Sequence, residues 1–542
     1  MASIARDPPY ENEKEISQKV DLDSDFATDN GKLTVDETIS YVAGKHETAG
    51  LRRSLNGRHM YMLSIASGIG TGLFLGSGSA LYSAGPLGLL LGYIIQGFIA
   101  AAVAYICAET IGYLPVSGGF IRFVPKFSDR ALGITIGYTF WYLLSITTAA
   151  EIGGQISIAP FLFQSELLPV KAYGETEFFF GMLKTLMIFA LIFAGLLVDW
   201  GVSPSGRYIG GENWHTPINE YLVKGATGRF LAVWNVLINA AFAMGNIQIT
   251  CSAAGETKDP RVQVPKAMRR VFWRLLIFYI ASLLVVGLIL PSKSPQLLVN
   301  NGSASSPFIL AFTAAGIKVF PSVINAIVIT SAFSSGNGVL FLASRTLVGL
   351  AQDGFAPQFL LRTNRFGSPW IAVLVSFILA PLAYLNCGKS TPTVVFGWFI
   401  NLIATAGLII WCAICFTYVR FYYGLKHQGI SRDDLPYKSW GQPWSAIAAG
   451  FMCFLIVFFS GFSVFFPHMF SAATFLSNYI ACFVVPAVYI ILKLTIKSPW
   501  ITYDMMEFTE MPAIRAEQAY KDAQPKTKQP IWRKLIEKTL DE

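Results

Sequence analysis

Eleven apolar stretches between residues 60 and 496 dictate what this chain can fold into. They lie near 60–82, 87–109, 132–158, 178–199, 231–254, 272–291, 318–342, 370–387, 394–419, 444–466 and 472–496. A helix of about 20 apolar residues spans a hydrocarbon core of roughly 30 Å. Most of the stretches reach that length, so the reading is an all-α polytopic membrane protein held in membrane lipid. Composition agrees: 53% of residues are hydrophobic and 14% charged, against roughly 25% charged in a soluble domain.

The formal net charge of +8 does not point to nucleic acid. The basic residues fall mainly between apolar stretches, where cytoplasmic loops carry them. The seven cysteines sit in or beside apolar segments, without metal-ligand spacing or a disulfide framework. Cys412 and Cys415 read as small packing residues one turn apart. No nucleophile–base pair, metal cluster or phosphate loop stands out, so neither an enzyme nor a cofactor is expected.

Residues 1–57 read as a disordered cytoplasmic tail, 58–497 as the membrane domain and 498–542 as a second cytoplasmic tail. Arg52, Arg53 and Arg58 place the start of the first span inside. The stretches 256–270 and 420–442 are basic and read as cytoplasmic, whereas 291–307, with the sequon at Asn301, reads as external. Strict alternation over eleven spans contradicts this assignment from the fourth span onward. One crossing is missing, or residues 132–177 cross in an unusual way.

The first span contains "SIASGIGTGLFLGSG" (64–78), with five glycines in fifteen residues. Ser67, Gly68, Ile69, Gly70, Thr71 and Gly72 form either a deliberate helix break or a small-residue packing face. A break leaves bare N–H groups at the positive end of a half-helix, suited to a carboxylate, and bare carbonyls suited to an ammonium. A second candidate break lies in "FAMGNIQITCSAAGE" (242–256), where Gly245, Asn246 and Gln248 interrupt an apolar segment.

These segments, with "GPLGLLLGYIIQG", "LPVSGGFIRFVPKFSDRALGITIGY", "AYGETEF", "AAGETKDPRVQVPKAMRRVFWRLLIFYI" and "SPFILAFTAAGIKVFPSVINAIVITSAFSSGNGVLFLASRTLVGLAQDGFAP", follow in order. Over residues 51–497 the chain resembles a fungal amino acid permease of the amino acid–polyamine–organocation superfamily. The resemblance implies twelve helices, the first ten forming a five-plus-five inverted repeat followed by two extra C-terminal helices. It also implies proton-coupled symport of an amino acid in the plasma membrane. By position, Gly68–Gly72 match the break that binds the substrate carboxylate, and 243–251 match the break facing its ammonium. Lys184 matches a helix 5 lysine and is a candidate proton-coupling group; its alternative is a side chain snorkelling to the interface.

Glu151 lies within a span, where a charge costs roughly 2.5–3.5 kcal/mol on insertion scales. It reads as a proton carrier, a cavity wall, or a protonated carboxyl bonded to a neighbouring helix. Glu109 reads as a charge at the cytoplasmic rim. Asn337 lines the cavity or packs helices.

Two departures from the family stand out. Amides replace the acid that relatives carry in the helix 6 break, which favours neutral zwitterionic substrates over lysine or arginine. Family helix 4 is missing, because "SIAPFLFQSEL" runs almost directly into "PVKAYGETEFF". An exon-skipped product or a rearranged scaffold would account for that, and the chain would then be impaired or inactive. An amine or polyamine carrier and a non-transporting amino acid sensor remain as alternatives. The lysines of the tails are candidate sites for ubiquitin ligase adaptors.

Overall fold

The computed structural model describes residues 70–115, 119–153, 162, 170–245, 260–298, 306–387 and 392–523. Among them the regular structure is entirely helical, as a chain in lipid requires when each backbone group must find its partner within its own segment. A π-helical turn, Gly72–Gly76, runs into α1 (Ser77–Tyr113). The chain continues through α2 (Phe120–Phe127), α3 (Arg130–Gly153), α4 (Val170–Asp199), α5 (Gly225–Met244) and α6 (Pro260–Ile289). The short α7 (Pro307–Ala314) precedes α8 (Phe320–Gln352) and α9 (Trp370–Phe377). The last elements are α10 (Pro392–His427), α11 (Trp444–Phe458), α12 (Ala472–Ile496) and α13 (Met511–Ala523).

Helix α1 is two arms. Gly85 sits at φ 76° and Pro86 follows it. Positive φ is open to glycine without penalty, and proline suits the first position of the second arm. The groups freed at this corner are taken by the 217–219 loop: Asn219 N donates to Ala84 O and Leu87 N to Pro217 O, both at 2.9 Å. The second arm packs on α5 and α6 through small residues. A Cβ on Gly92 would fall 2.5 Å from Val236 Cγ1, and one on Gly97 would fall 2.4 Å from Leu276 Cδ1. Close approach at glycine is the usual route to helix association in lipid.

Eight of the described helices are long and apolar enough to cross a membrane, with α1 and its π turn as one. Leu276–Ile289 of α6 and Trp370–Leu385 are shorter apolar helices. Burial orders them. The apolar window of α3 is 78% buried and that of α8 is 72%, whereas α12 is 6% buried. Helices α3 and α8 form the interior, and α12 lies outermost with most of its apolar surface free for lipid.

Several boundaries differ from the sequence reading. Helix α4 begins at Val170 and α6 at Pro260, well before their apolar stretches, because helix continues through polar residues once the hydrocarbon is cleared. The stretch 370–387 is an α-helix followed by a 3-10 segment, Ala380–Cys387, rather than one α-helix; Pro381 breaks the α-helical ladder. Residues 1–57 lie outside the described residues, as do 154–161 and 163–169, where a crossing is missing from the sequence pattern. The second tail is docked over its described part. Met506 and Phe508 are buried, and Phe508 meets the rings of Tyr113, Phe127 and Phe421. Arg261 at the start of α6 pairs with Glu510 (3.5 Å) and Glu517 (2.7 Å), and Arg515 pairs with Asp434 (2.7 Å).

Glu109 is fully buried at the end of α1. It accepts from Arg432 Nε (3.1 Å), Arg432 Nη2 (2.8 Å) and Ser439 N (2.8 Å). It is a clasp between α1 and the 428–442 loop. Cys412 and Cys415 are free thiols, and Cys412 Sγ donates to Gly450 O.

Candidate functional site

The site forms where one helix starts and another stops. Gly70 is a bend and Thr71 begins the helical run into α1. Helix α5 stops at Met244, and Gly245 N folds back onto Phe242 O at 3.3 Å. The two ends touch: a Cβ on Gly72 would lie 2.7 Å from Ala243 Cα. The Ala243 carbonyl accepts from Tyr279 Oη at 2.8 Å. The first N–H groups of a helix have no partner inside it and sit at the positive end of its dipole. Thr71 N is such a group, and it donates to Glu151 Oε2 at 3.4 Å.

Glu151 belongs to a buried charge cluster drawn from α3, α4 and α8. Its Oε1 accepts from Ser335 Oγ at 3.0 Å. On α4, Glu177 accepts from Ser334 Oγ at 2.7 Å and Asn337 Nδ2 at 3.1 Å. Lys184, two turns further along α4, carries the charge that faces Glu177 and then Glu151. Exposure is 2% for Glu151, 0% for Glu177 and 1% for Lys184, so Lys184 does not snorkel. Among the described residues, two carboxylates and one ammonium leave one negative charge over. A buried, uncompensated charge costs several kcal/mol, so one further proton or cation balances the cluster.

Gly70 fits between these groups because it has no side chain. A Cβ there would lie 2.5 Å from Glu151 Oε1 and 2.8 Å from Ser335 Oγ. Beyond the end of α5, Gly245 lines a small pocket with Leu143, Ile403, Ala404, Gly407 and Trp411. Among the described residues the lining carries no charged side chain.

Of the residues singled out from sequence, Gly70, Thr71, Gly72, Glu151, Lys184, Gly245 and Asn337 are described. Gly70, Thr71, Glu151, Lys184 and Asn337 meet in or against the charge cluster, and Gly72 and Gly245 mark the helix junction beside it. Asn337 is engaged with Glu177 rather than with open space. Ser67, Gly68, Ile69, Asn246 and Gln248 lie outside the described residues. Glu177 was not anticipated. Its signal was present in the spacing: residues seven apart on a helix share a face, and Glu177 stands seven before Lys184.

The model of the amino acid permease family matches residues 59–168 and 158–502. The chain is 34% identical over 482 residues to the proline-specific permease of Emericella nidulans, covering 84% of this chain and 87% of that one. It is 33% identical over 510 residues to the proline-specific permease of Saccharomyces cerevisiae, at 87% and 81% coverage. It is 32% identical over 486 residues to the lysine/arginine permease of Candida albicans, at 86% and 83% coverage. The two pieces of the family match meet at 158–168, where the sequence pattern lacks a crossing.

Proposed function

The chain belongs to the amino acid permease family, and from that premise we propose that it imports amino acids together with protons, taking neutral zwitterionic substrates in preference to cationic ones. The family is one of permeases, so the protein is an integral membrane amino acid transporter and not an enzyme. In our reading the substrate carboxylate docks at the helix start formed by Thr71 and Gly72, its ammonium faces the carbonyl end of α5, and its side chain points toward the apolar residues beside Gly245. The relatives' names include both proline and lysine/arginine permeases, so preference has to be argued from the site. One feature favours a neutral side chain: the described lining of the pocket is apolar.

The observation that carries proton coupling is the position of Glu151. It is buried, bonded to the first helical N–H and electrostatically tied to Lys184. A titratable group in contact with both the substrate end and a second titratable group can link binding to protonation. We place the protein in the plasma membrane with both termini in the cytoplasm, and we regard the crossing between α3 and α4 as lost from this chain.

Uptake of labelled amino acids by permease-deficient yeast tests the proposal. The expected result is accumulation that a protonophore abolishes, with competition by proline or alanine and little by arginine. Binding without accumulation would favour a sensor. Competition by polyamines instead of amino acids would favour an amine carrier. Sequencing the transcript across the codons for Gln164 to Lys171 tests the lost crossing.

A further inference from the structure

We propose that Glu151 occupies, in the substrate-free transporter, the place of the substrate carboxylate, so that an amino acid can bind only when Glu151 carries a proton. The inference rests on the import reading above and gives it a mechanism.

Three observations support it. Glu151 Oε2 is the acceptor for Thr71 N, the N–H at the start of the helical run. Glu151 itself closes the space at Gly70, its Oε1 lying 2.5 Å from where a Cβ would be. Glu151 also has somewhere to put a proton: Ser335 Oγ, 3.0 Å from Oε1, can accept from a protonated carboxyl as readily as it donates to an ionised one.

The neighbouring groups single out Glu151. Glu177 holds the shorter pair of bonds, from Ser334 Oγ at 2.7 Å and Asn337 Nδ2 at 3.1 Å. Two close donors to a carboxylate favour its charged form. Glu151 receives Ser335 Oγ at 3.0 Å and its backbone N–H at the longer distance of 3.4 Å, so it is the more weakly held of the two. Tyr279 of α6 lies within its field from another side. The cations that α10 and α12 bring to α3 are far away. Arg420 bonds Phe127 O, before α3 begins, and Lys493 bonds Asp129, about 33 Å from Glu151 at 1.5 Å of rise per residue. The one proton that balances the cluster therefore goes to Glu151.

The cycle closes on one proton. A proton from outside water adds to Oε1, and Oε1–H turns to Ser335 Oγ. Neutral Oε2 gives up Thr71 N, and the substrate carboxylate takes that N–H. When the substrate leaves to the cytoplasm the N–H is bare again. Glu151 then loses its proton to cytoplasmic water and its carboxylate returns to Thr71. One proton enters and one leaves per amino acid.

The test is binding of labelled L-proline, with labelled L-alanine as a second probe, to the purified full-length protein between pH 5 and 8.5. On the alkaline limb the wild-type affinity should fall about tenfold per pH unit, the slope for linkage to one proton. In weakly buffered solution each binding event should take up close to one proton. Glu151→Gln should bind with a flat pH profile, take up no proton, and exchange labelled for unlabelled substrate without accumulating it. Retention of the wild-type pH profile by Glu151→Gln would overturn the proposal. If that variant does not fold, the wild-type proton count decides, and binding without proton uptake overturns it. Failure of the wild type to bind any amino acid would instead bring down the import reading, and this inference with it.

Discussion

Gly72 and Ala243 approach so closely that a methyl group on Gly72 would lie 2.7 Å from the Ala243 Cα. The atom in the way is backbone, so no side-chain rotation relieves the clash. Gly72→Ala should lose roughly 1–3 kcal/mol, the usual range for overpacking, and should open the junction between the start of α1 and the end of α5. Thermal unfolding of the purified protein and uptake rate should both fall. Gly397→Ala is the control, because nothing lies within 4 Å of its Cβ position; it should be silent in both measurements.

Glu177 and Lys184 should be energetically coupled. Removing one member of a buried pair costs roughly 3–5 kcal/mol because the other charge is left unpaired. Glu177→Gln and Lys184→Met should each lower membrane abundance and thermal stability. The double variant should lose less than the two effects added together. A double-mutant cycle on unfolding temperature measures this, and additivity within error would show that the two charges do not interact.

Arg432 meets Glu109 through Nε and Nη2 at once, at 3.1 and 2.8 Å. A lysine cannot reproduce that fork. Arg432→Lys should therefore destabilise the protein despite keeping the charge. Glu109→Ala should do more harm, toward the lower end of roughly 3–5 kcal/mol, since Arg432 is 19% exposed and partly hydrated. Abundance at the membrane and resistance to heat would report both.

The docked segment after α12 should hold more tightly in acid. Burial pushes the Glu510 carboxyl up from 4.5 to about 7, and Arg261 at 3.5 Å is too distant a partner to reverse that. A carboxyl raised in the folded state binds more protons there than in the undocked chain. Its contribution is complete below about pH 4.5 and is lost as pH rises through about 7. Amide exchange across 511–523, corrected for intrinsic rates, should show greater protection at pH 5.5 than at pH 7.5. Glu510→Gln should remove most of that difference.

Much of the helical layout was legible because apolar length and bilayer thickness are the same constraint. Helix ends were not, and one of them hid a site residue. The apolar stretch that became α4 was drawn from residue 178, one position past Glu177, whereas the helix begins at Val170. Placing Glu177 inside the helix would have paired it with Lys184 by spacing alone. Glu151 and Lys184 stood out as charges in apolar surroundings, yet their meeting with Ser335, Ser334 and Asn337 depends on how α3, α4 and α8 pack, which no local pattern encodes. Helix α13 was missed because its polar sequence carries no hydropathy signal, and its docking depends on three arginine–carboxylate contacts with distant partners.

The way Met506 and Phe508 plug the ring cluster around Phe127 sets a practical limit on engineering this chain. Cutting it back to the end of the last spanning helix would uncork an aromatic socket and strip Arg261 of both its counter-charges. Reporters and affinity handles therefore belong beyond residue 523, where they leave that stopper seated.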